Sequence, residues 1–202
     1  MPLLQGTNNA GDAAWSNDIT SEITTTKGVT GGTALVVGGR AFTSLADSTP
    51  IVQAAALGTY DVSATIPANT LNTGTTLRIR AVVRISVSIN GTVACTSQIT
   101  LGGAIIVFSG NSANTPLTGT RCLLDVTLTF RGDAGAAVAA SGVGTAVWGN
   151  SVAVVTMDPN AGDAVPTFAT NGALVVAVGT TPAGAGNSSG RHVLEQLLVE
   201  ID

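Results

Sequence analysis

Few side chains in this chain could carry out acid–base chemistry. The sequence has one histidine, His192, and general-base catalysis needs such a group within hydrogen-bond reach of a substrate. Glycoside hydrolysis can instead run on two carboxylates, and the candidates are Asp125, Asp158, Asp163, Glu195 and Glu200. Polysaccharide sites usually add aromatic platforms, which are scarce in a chain with 3% aromatic residues. Since no nucleophile-elbow, HExxH or Walker motif is present, we expect a protein that is not an enzyme and assign no catalytic residue.

Residues that could bind a metal or a cofactor are equally sparse. Cys95 and Cys122 have only His192 to join them, which is a poor ligand set, and we interpret both as free cysteines. Residues 158–163 (DPNAGD) place oxygen ligands at alternate positions, as a calcium loop does, but they lack the distal glutamate. A turn explains this stretch, so we expect no metal and no cofactor.

Three arginines share one face of the strand pattern Leu77–Ile89, LRIRAVVRISVSI: Arg78, Arg80 and Arg84. Two roles stay open for them, namely ion pairs with carboxylates such as Asp125 on a neighbouring strand, or a surface for an anionic partner. The whole chain has a net charge of −4 and a single lysine. It therefore lacks the basic patch that nucleic-acid binding needs, and we expect no nucleic-acid partner.

The elements that position these side chains are long strands with one apolar face. Every odd position from Leu77 to Ile89 is apolar, and a period of two predicts a β-strand with one buried face. At ~3.3 Å per residue this strand is ~40 Å long, which indicates a central strand of a sheet. The stretch Arg121–Arg131, RCLLDVTLTFR, repeats the pattern. Two sheets are needed to cover these apolar faces.

Turn signals divide the rest of the chain into further strands. Asn90-Gly91 predicts a hairpin that folds 92–100 back antiparallel on the central strand. Gly102-Gly103 predicts the next reversal, followed by a short apolar strand over 104–109 and a polar loop over 110–120. The stretch 192–201 fits a helix or an imperfect strand, and we predict a strand because everything else is β. The expected fold is all-β, a two-sheet jelly-roll or Greek-key sandwich of about eight strands.

The first 50 residues differ from the remainder because they lack a sustained apolar period. We predict an extended N-terminal arm over 1–50 and a sandwich domain over 51–202. The sparse large apolar residues Trp15, Ile19 and Ile23 are candidate anchors of this arm on a neighbouring subunit. The alternative is a disordered tail, because such a segment buries little apolar surface by itself.

The low charge content bears on association. Only 10% of the residues are charged, against about 25% in typical soluble proteins. Such a surface is poorly protected against self-association, so we expect a subunit buried against copies of itself or a larger assembly. No residue from Ser86 to Thr120 is charged, and we expect this part deep in the fold or in an interface. No secretory signal and no run of about 18 apolar residues is found, and we expect no membrane partner.

Three stretches resemble the jelly-roll domains of tailed-bacteriophage virion proteins. They are 59–81 (TYDVSATIPANTLNTGTTLRIRA), 122–132 (CLLDVTLTFRG) and 187–201 (NSSGRHVLEQLLVEI). The resemblance covers roughly residues 55–202. It implies a homotrimeric structural protein of the virion that folds in the bacterial host cytoplasm and contacts the major capsid protein or other virion proteins.

The resemblance supports several positions in a virion. Our leading prediction is a capsid decoration or cement protein that stabilises the shell through trimer and arm contacts. The alternative is a tail-fibre or spike domain that binds a host surface receptor such as a glycan. The candidate interface residues are Trp15, Ile19, Ile23, Arg78, Arg80 and Arg84.

Overall fold

The computed structural model describes residues 32–35, 40–43, 48, 51–52, 58–88, 93–113, 117–149, 154–157, 166–184 and 189–202. Within these ranges the chain forms strands and turns and no helix, and the predicted all-β sandwich of two sheets is confirmed. The predicted arm anchors Trp15, Ile19 and Ile23 lie outside the described residues, as does the calcium-like stretch 158–163.

The described part of the chain contains thirteen strands. In chain order they are β1 (Gly32–Leu35), β2 (Arg40–Thr43), β3 (Ile51–Val52), β4 (Gly58–Ile66), β5 (Thr76–Ser88), β6 (Val93–Leu101), β7 (Ala104–Ala113), β8 (Leu117–Phe130), β9 (Val138–Trp148), β10 (Val154–Met157), β11 (Thr167–Phe168), β12 (Leu174–Gly184) and β13 (Ser189–Ile201). Eight of them are nine residues or longer, which agrees with the predicted count of about eight.

The strands form two sheets whose order differs from the chain order. The five-stranded sheet runs β1-β4-β12-β6-β7, and the eight-stranded sheet runs β10-β9-β8-β5-β13-β2, with β11 also on β9 and β3 also on β13. All pairs are antiparallel except β1 with β4. Consecutive described strands change sheet between β1 and β2, β3 and β4, β4 and β5, β5 and β6, β7 and β8, β11 and β12, and β12 and β13. These crossovers are of the Greek-key kind.

Strand β5 is the central strand that the sequence predicts. It lies between β8 and β13, and its described inward side chains, from Leu77 to Ile85, are fully buried. The inward side chains of β8, Cys122, Leu124, Val126, Leu128 and Phe130, are buried beside them. The dry faces of both predicted long strands therefore belong to one sheet, and the inner face of the five-stranded sheet covers them.

The predicted hairpin at Asn90-Gly91 is wrong in its pairing. Strand β6 does not return along β5 but lies in the other sheet, between β12 and β7. Both edges of β5 are taken by β8 and β13, which pair with it along nearly its whole length. Long apolar partners from distant parts of the chain thus override a local turn signal.

The predicted short strand over 104–109 and polar loop over 110–120 are also corrected. Strand β7 continues to Ala113 and β8 begins at Leu117. The polar and small residues of this stretch hide its period, but pairing with β6 and β5 keeps it extended. The reversal at Gly102-Gly103 is confirmed, with φ of 56° and 87° that favour glycine.

The last strand, β13, is confirmed as a strand and contains a β-bulge. Its register on β5 shifts between Leu194 and Gln196, which leaves Glu195 as the extra residue. His192 and Leu194 point inward before the bulge, and Leu197 and Val199 after it. This shift explains why the apolar spacing of 192–201 resembles a helix as much as a strand.

Two strands come from the first 50 residues. Strand β1 pairs in parallel with β4 and β2 pairs with β13, so residues 32–35 and 40–43 extend the two sheets. The contacts of residues 1–31 stay a prediction.

Candidate functional site

The outward-facing side chains of β5, β8 and β13 form a charged surface, which we call the arginine face. The predicted interface residues Arg78, Arg80 and Arg84 all lie on it. Its other charged members are Arg121, Asp125, Arg191, Glu195 and Glu200. The strands of the eight-stranded sheet contain nine charged residues in all, whereas those of the five-stranded sheet contain one, Asp61.

One ion-pair cluster on the arginine face joins β5 to β8. Arg80 lies opposite Asp125 in the register and donates to its Oδ2 from Nε at 2.9 Å and from Nη2 at 2.7 Å. Arg78 Nη2 donates to the same oxygen at 3.4 Å. The predicted cross-strand pairing with Asp125 is thus present for these two arginines.

A second cluster depends on the bulge in β13. Arg84 and Arg121 lie directly opposite each other on β5 and β8, an arrangement of like charges that destabilises a sheet. The bulge residue Glu195 bridges them. Its Oε1 lies 2.8 Å from Arg84 Nε, and its Oε2 accepts a hydrogen bond from Arg121 Nε at 2.7 Å. The bulge therefore places the Glu195 carboxylate between Arg84 and Arg121, where it offsets the repulsion between the two guanidinium groups.

An apolar row separates the two clusters. Val82, Leu123 and Val147 are adjacent in the register of β5, β8 and β9, and all three are half-buried. On an outward face this row offers a strip of apolar surface with a pair of arginines on either side.

A pocket of about 260 Å³ lies at one end of the arginine face. It is lined by Arg84, Ser86, Arg191 and Val193. Ser86 Oγ accepts a hydrogen bond from the Gly119 N–H at 3.1 Å, so its hydroxyl hydrogen is available as a donor. Two guanidinium groups and a hydroxyl donor suit an oxyanion such as a carboxylate or a phosphate.

The outward-facing side chains of β4, β6, β7 and β12 form the opposite surface, which we call the low-charge face. Asp61 is its one charged side chain among the described residues. Ile105 on β7 is 57% exposed and Val175 on β12 is 42% exposed. Strand β7 is an edge strand of ten residues without a charge. Within the described ranges, no charged side chain on β7 protects this edge against pairing with another chain.

His192 lies between the two sheets and is fully buried. Thr180 on β12 donates its hydroxyl hydrogen to the Thr96 carbonyl oxygen at 2.7 Å, so its oxygen accepts from His192 Nδ1–H at 2.9 Å. His192 Nε2 is buried and makes no hydrogen bond to any described residue. Burial lowers the pKa of His192 from its ordinary 6.5 to about 4. The imidazole is therefore a neutral, buried link between the sheets.

The sulfur and carboxylate groups do not assemble into a further site. Cys122 is a buried free thiol, and burial raises its pKa to about 12. Across the described ranges, no three His, Cys, Asp or Glu side chains come together where they could hold a metal ion. The described residues also form no helix that is long and apolar enough to span a membrane.

Sequence reasoning found part of the arginine face and missed part. It placed Arg78, Arg80 and Arg84 on one face and named Asp125 as a partner. It missed the bridge at Glu195 and the pocket at Arg191, because both depend on how β13 lies against β5. The irregular apolar spacing around Glu195 was the one sequence signal of the bulge.

Comparisons with known proteins give only distant likenesses. No family model matches the chain, and no curated protein sequence matches it. A chain from the "Structure of infectious bursal disease virus Gt strain" is 17% identical with a TM-score of 0.37, over 79% of this chain and 32% of that chain. This chain therefore spans about a third of that one.

Two further structures match at similar levels. The CBM2 module of Lactobacillus casei BL23 phage J-1 evolved Dit is 11% identical with a TM-score of 0.36, over 84% of this chain and 82% of that chain. The winged bean acidic lectin, complexed with methyl-alpha-D-galactose, is 7% identical with a TM-score of 0.34, over 82% of this chain and 94% of that chain.

Proposed function

We propose that this chain is a structural subunit of a bacteriophage virion, a capsid decoration or cement protein that forms a homotrimer through its low-charge face. The observation that carries the proposal is the charge contrast between the two sheets, one charged residue against nine. Surface charge is what normally keeps soluble domains apart. A face almost without charge suits permanent contact with another subunit.

The position of β7 strengthens this proposal. The sequence predicts that the uncharged stretch from Ser86 to Thr120 lies deep in the fold or in an interface. Its strand β7 lies at an edge of the five-stranded sheet and exposes more than half of Ile105, so the described part of the fold leaves this strand partly exposed. Proteins usually protect such edges with charges or cover them. A subunit contact would supply the cover.

The proposed mechanism is mechanical rather than catalytic. Obligate interfaces of this kind bury ~2,000 Å² or more, and such area across capsomer junctions would hold a shell together against internal pressure. The part of the predicted arm that precedes β1, residues 1–31, is proposed to reach neighbouring subunits of the shell, the major capsid protein among them. The proposal includes no nucleic-acid, membrane or cofactor partner.

Light scattering on a sizing column tests the association through this face. We expect a trimer at micromolar concentration, and Ile105→Asp should shift it towards monomer, because a buried unpaired carboxylate is costly. The matched control is Val143→Asp, because Val143 is 52% exposed on the outer side of the eight-stranded sheet. A wild-type monomer, or equal dissociation in both variants, would contradict the proposed interface.

The copy number of the chain per virion tests its place in the particle. A stained gel of purified particles should show hundreds of copies if the chain decorates the capsid. A few copies would instead indicate a tail fibre or spike, and binding to a host glycan would then be the next measurement.

A further inference from the structure

We propose that the arginine face is a docking site for the acidic segment 12–23 of this chain, with a carboxylate of that segment seated in the pocket between Arg84 and Arg191. This goes beyond the proposed function, which concerns the low-charge face and not the arginine face. The segment can come from the same copy of the chain or from a neighbouring one. The segment reads DAAWSNDITSEI and lies outside the described residues.

The first argument is charge complementarity. Five arginines and three carboxylates on the arginine face leave it with a charge of +2. Since the whole chain carries −4, everything else together carries −6. Segment 12–23 has three carboxylates, Asp12, Asp18 and Glu22, and no basic residue. A basic face on an acidic chain therefore has an oppositely charged partner within the same sequence.

The second argument is the chemistry of the pocket. Arg84 lies opposite Val193 and Ser86 opposite Arg191, so the two arginines stand at diagonal corners of a square on β5 and β13. The pocket they enclose offers hydrogen-bond donors above the buried side chain of Val193. No carboxylate of the described residues forms an ion pair with Arg191. A carboxylate from outside the described sheet would complete this group.

The third argument is the apolar row beside the pocket. Val82 is two positions from Arg84 on the same face of β5, which is ~7 Å along the strand. A suitable occupant thus carries apolar side chains close to its carboxylates, as Trp15, Ile19 and Ile23 are in segment 12–23. A further acidic stretch outside the described residues, 158–163, has two aspartates but no large apolar residue.

Residues 24–31 connect the segment to β1. Eight residues separate Ile23 from Gly32, where β1 begins. Extended, they span up to ~28 Å.

Site-specific photo-crosslinking in the full-length chain tests the proposal. The photoreactive amino acid p-benzoylphenylalanine replaces Gln196, which faces outward opposite Val82 beside the apolar row. The control places it at Asp61, on the low-charge face. Trypsin releases residues 1–27 as one peptide, because Lys27 is the first lysine or arginine in the sequence. We expect cross-links from position 196 to this peptide and none from position 61.

Charge variants and salt then test the role of the carboxylates. The triple variant Asp12→Asn/Asp18→Asn/Glu22→Gln should lower the cross-link yield about fivefold, as expected for the loss of a few exposed ion pairs. Raising the salt from about 0.1 M to about 1 M should also lower it, because exposed charges are then screened. The matched control, Asp158→Asn/Asp163→Asn, should leave the yield unchanged.

Mixing isotope-labelled and unlabelled chains shows which copy supplies the segment, and either answer supports the proposal. Three results would overturn it: no cross-link from position 196 to residues 1–27, an equal cross-link from position 61, or a loss of yield in the Asp158/Asp163 variant alone. A missing cross-link in a protein that is still trimeric would reject this inference and leave the proposed function standing.

Discussion

His192 should make the folded protein sensitive to acid. Its imidazole is fully buried between the sheets. If Nε2 took up a proton, no described residue would accept a hydrogen bond from it. Burial lowers its pKa to about 4, whereas the unfolded chain keeps the ordinary value of 6.5. As the pH falls from 6.5 towards 4, the unfolded chain therefore takes up a proton that the folded chain refuses. The free energy of unfolding must fall over this interval.

The magnitude follows from the shift. One pKa unit corresponds to about 1.4 kcal/mol, so the full shift amounts to about 3 kcal/mol. Roughly 2 kcal/mol of this should be lost between about pH 7 and about pH 4.5. Well above pH 6.5 the imidazole is neutral in both states, and its contribution to the pH dependence disappears.

The assay compares urea unfolding of the wild type and His192→Asn at the two pH values and at one protein concentration. Asparagine keeps an N–H that can donate to the Thr180 oxygen but does not titrate. The variant is expected to be less stable at neutral pH and to lose about 2 kcal/mol less than the wild type on acidification. Carboxylates titrate in both proteins, so their effect cancels in the comparison. Parallel pH profiles would show that burial does not hinder protonation of His192, and the reasoning would be refuted.

Two further predictions concern close packing. Gly142→Ala should lower the free energy of unfolding by roughly 3 kcal/mol, because a Cβ would overlap the Thr127 carbonyl oxygen on β8. The control Gly135→Ala, whose nearest heavy atom would be 3.6 Å away, should change it little, and equal urea midpoints would contradict the reasoning. In a Cys95→Ser background, Cys122 should react with a thiol reagent no faster than the protein unfolds, because its pKa is about 12. Rapid labelling of the folded protein would contradict this.

The long strands could be predicted from sequence because each buries one continuous face. Strand β5 alternates without a break, and every inward residue described on it is fully buried. Strand β9 could not be predicted with the same certainty, because it is built from small residues. Gly142 packs against the backbone of β8, and Gly144 leaves room for Val107 from the other sheet. Glycine is needed at these two positions because neighbouring atoms approach the β9 backbone closely, and this requirement leaves no hydrophobic period in the sequence.

Pairing between distant strands was harder to predict than the strands themselves. The Asn90-Gly91 signal describes only the local chain, whereas the partner of β5 is chosen by the area that β8 and β13 bury. The candidate site shows the same limit. Arg78, Arg80 and Arg84 could be placed on one face from their spacing, but the Glu195 bridge requires the bulge and the register of a strand far along the chain.

The pairing of β5 with β13 has a consequence for synthesis of the protein. Each residue of β5 meets a partner that is made 101 to 124 residues later. The backbone of Thr76 likewise forms two hydrogen bonds with the backbone of Asp202. A growing chain therefore holds this long central strand with one edge unpaired until residues 189–202 have emerged. During that interval β5 is the segment in greatest need of protection from neighbouring nascent chains.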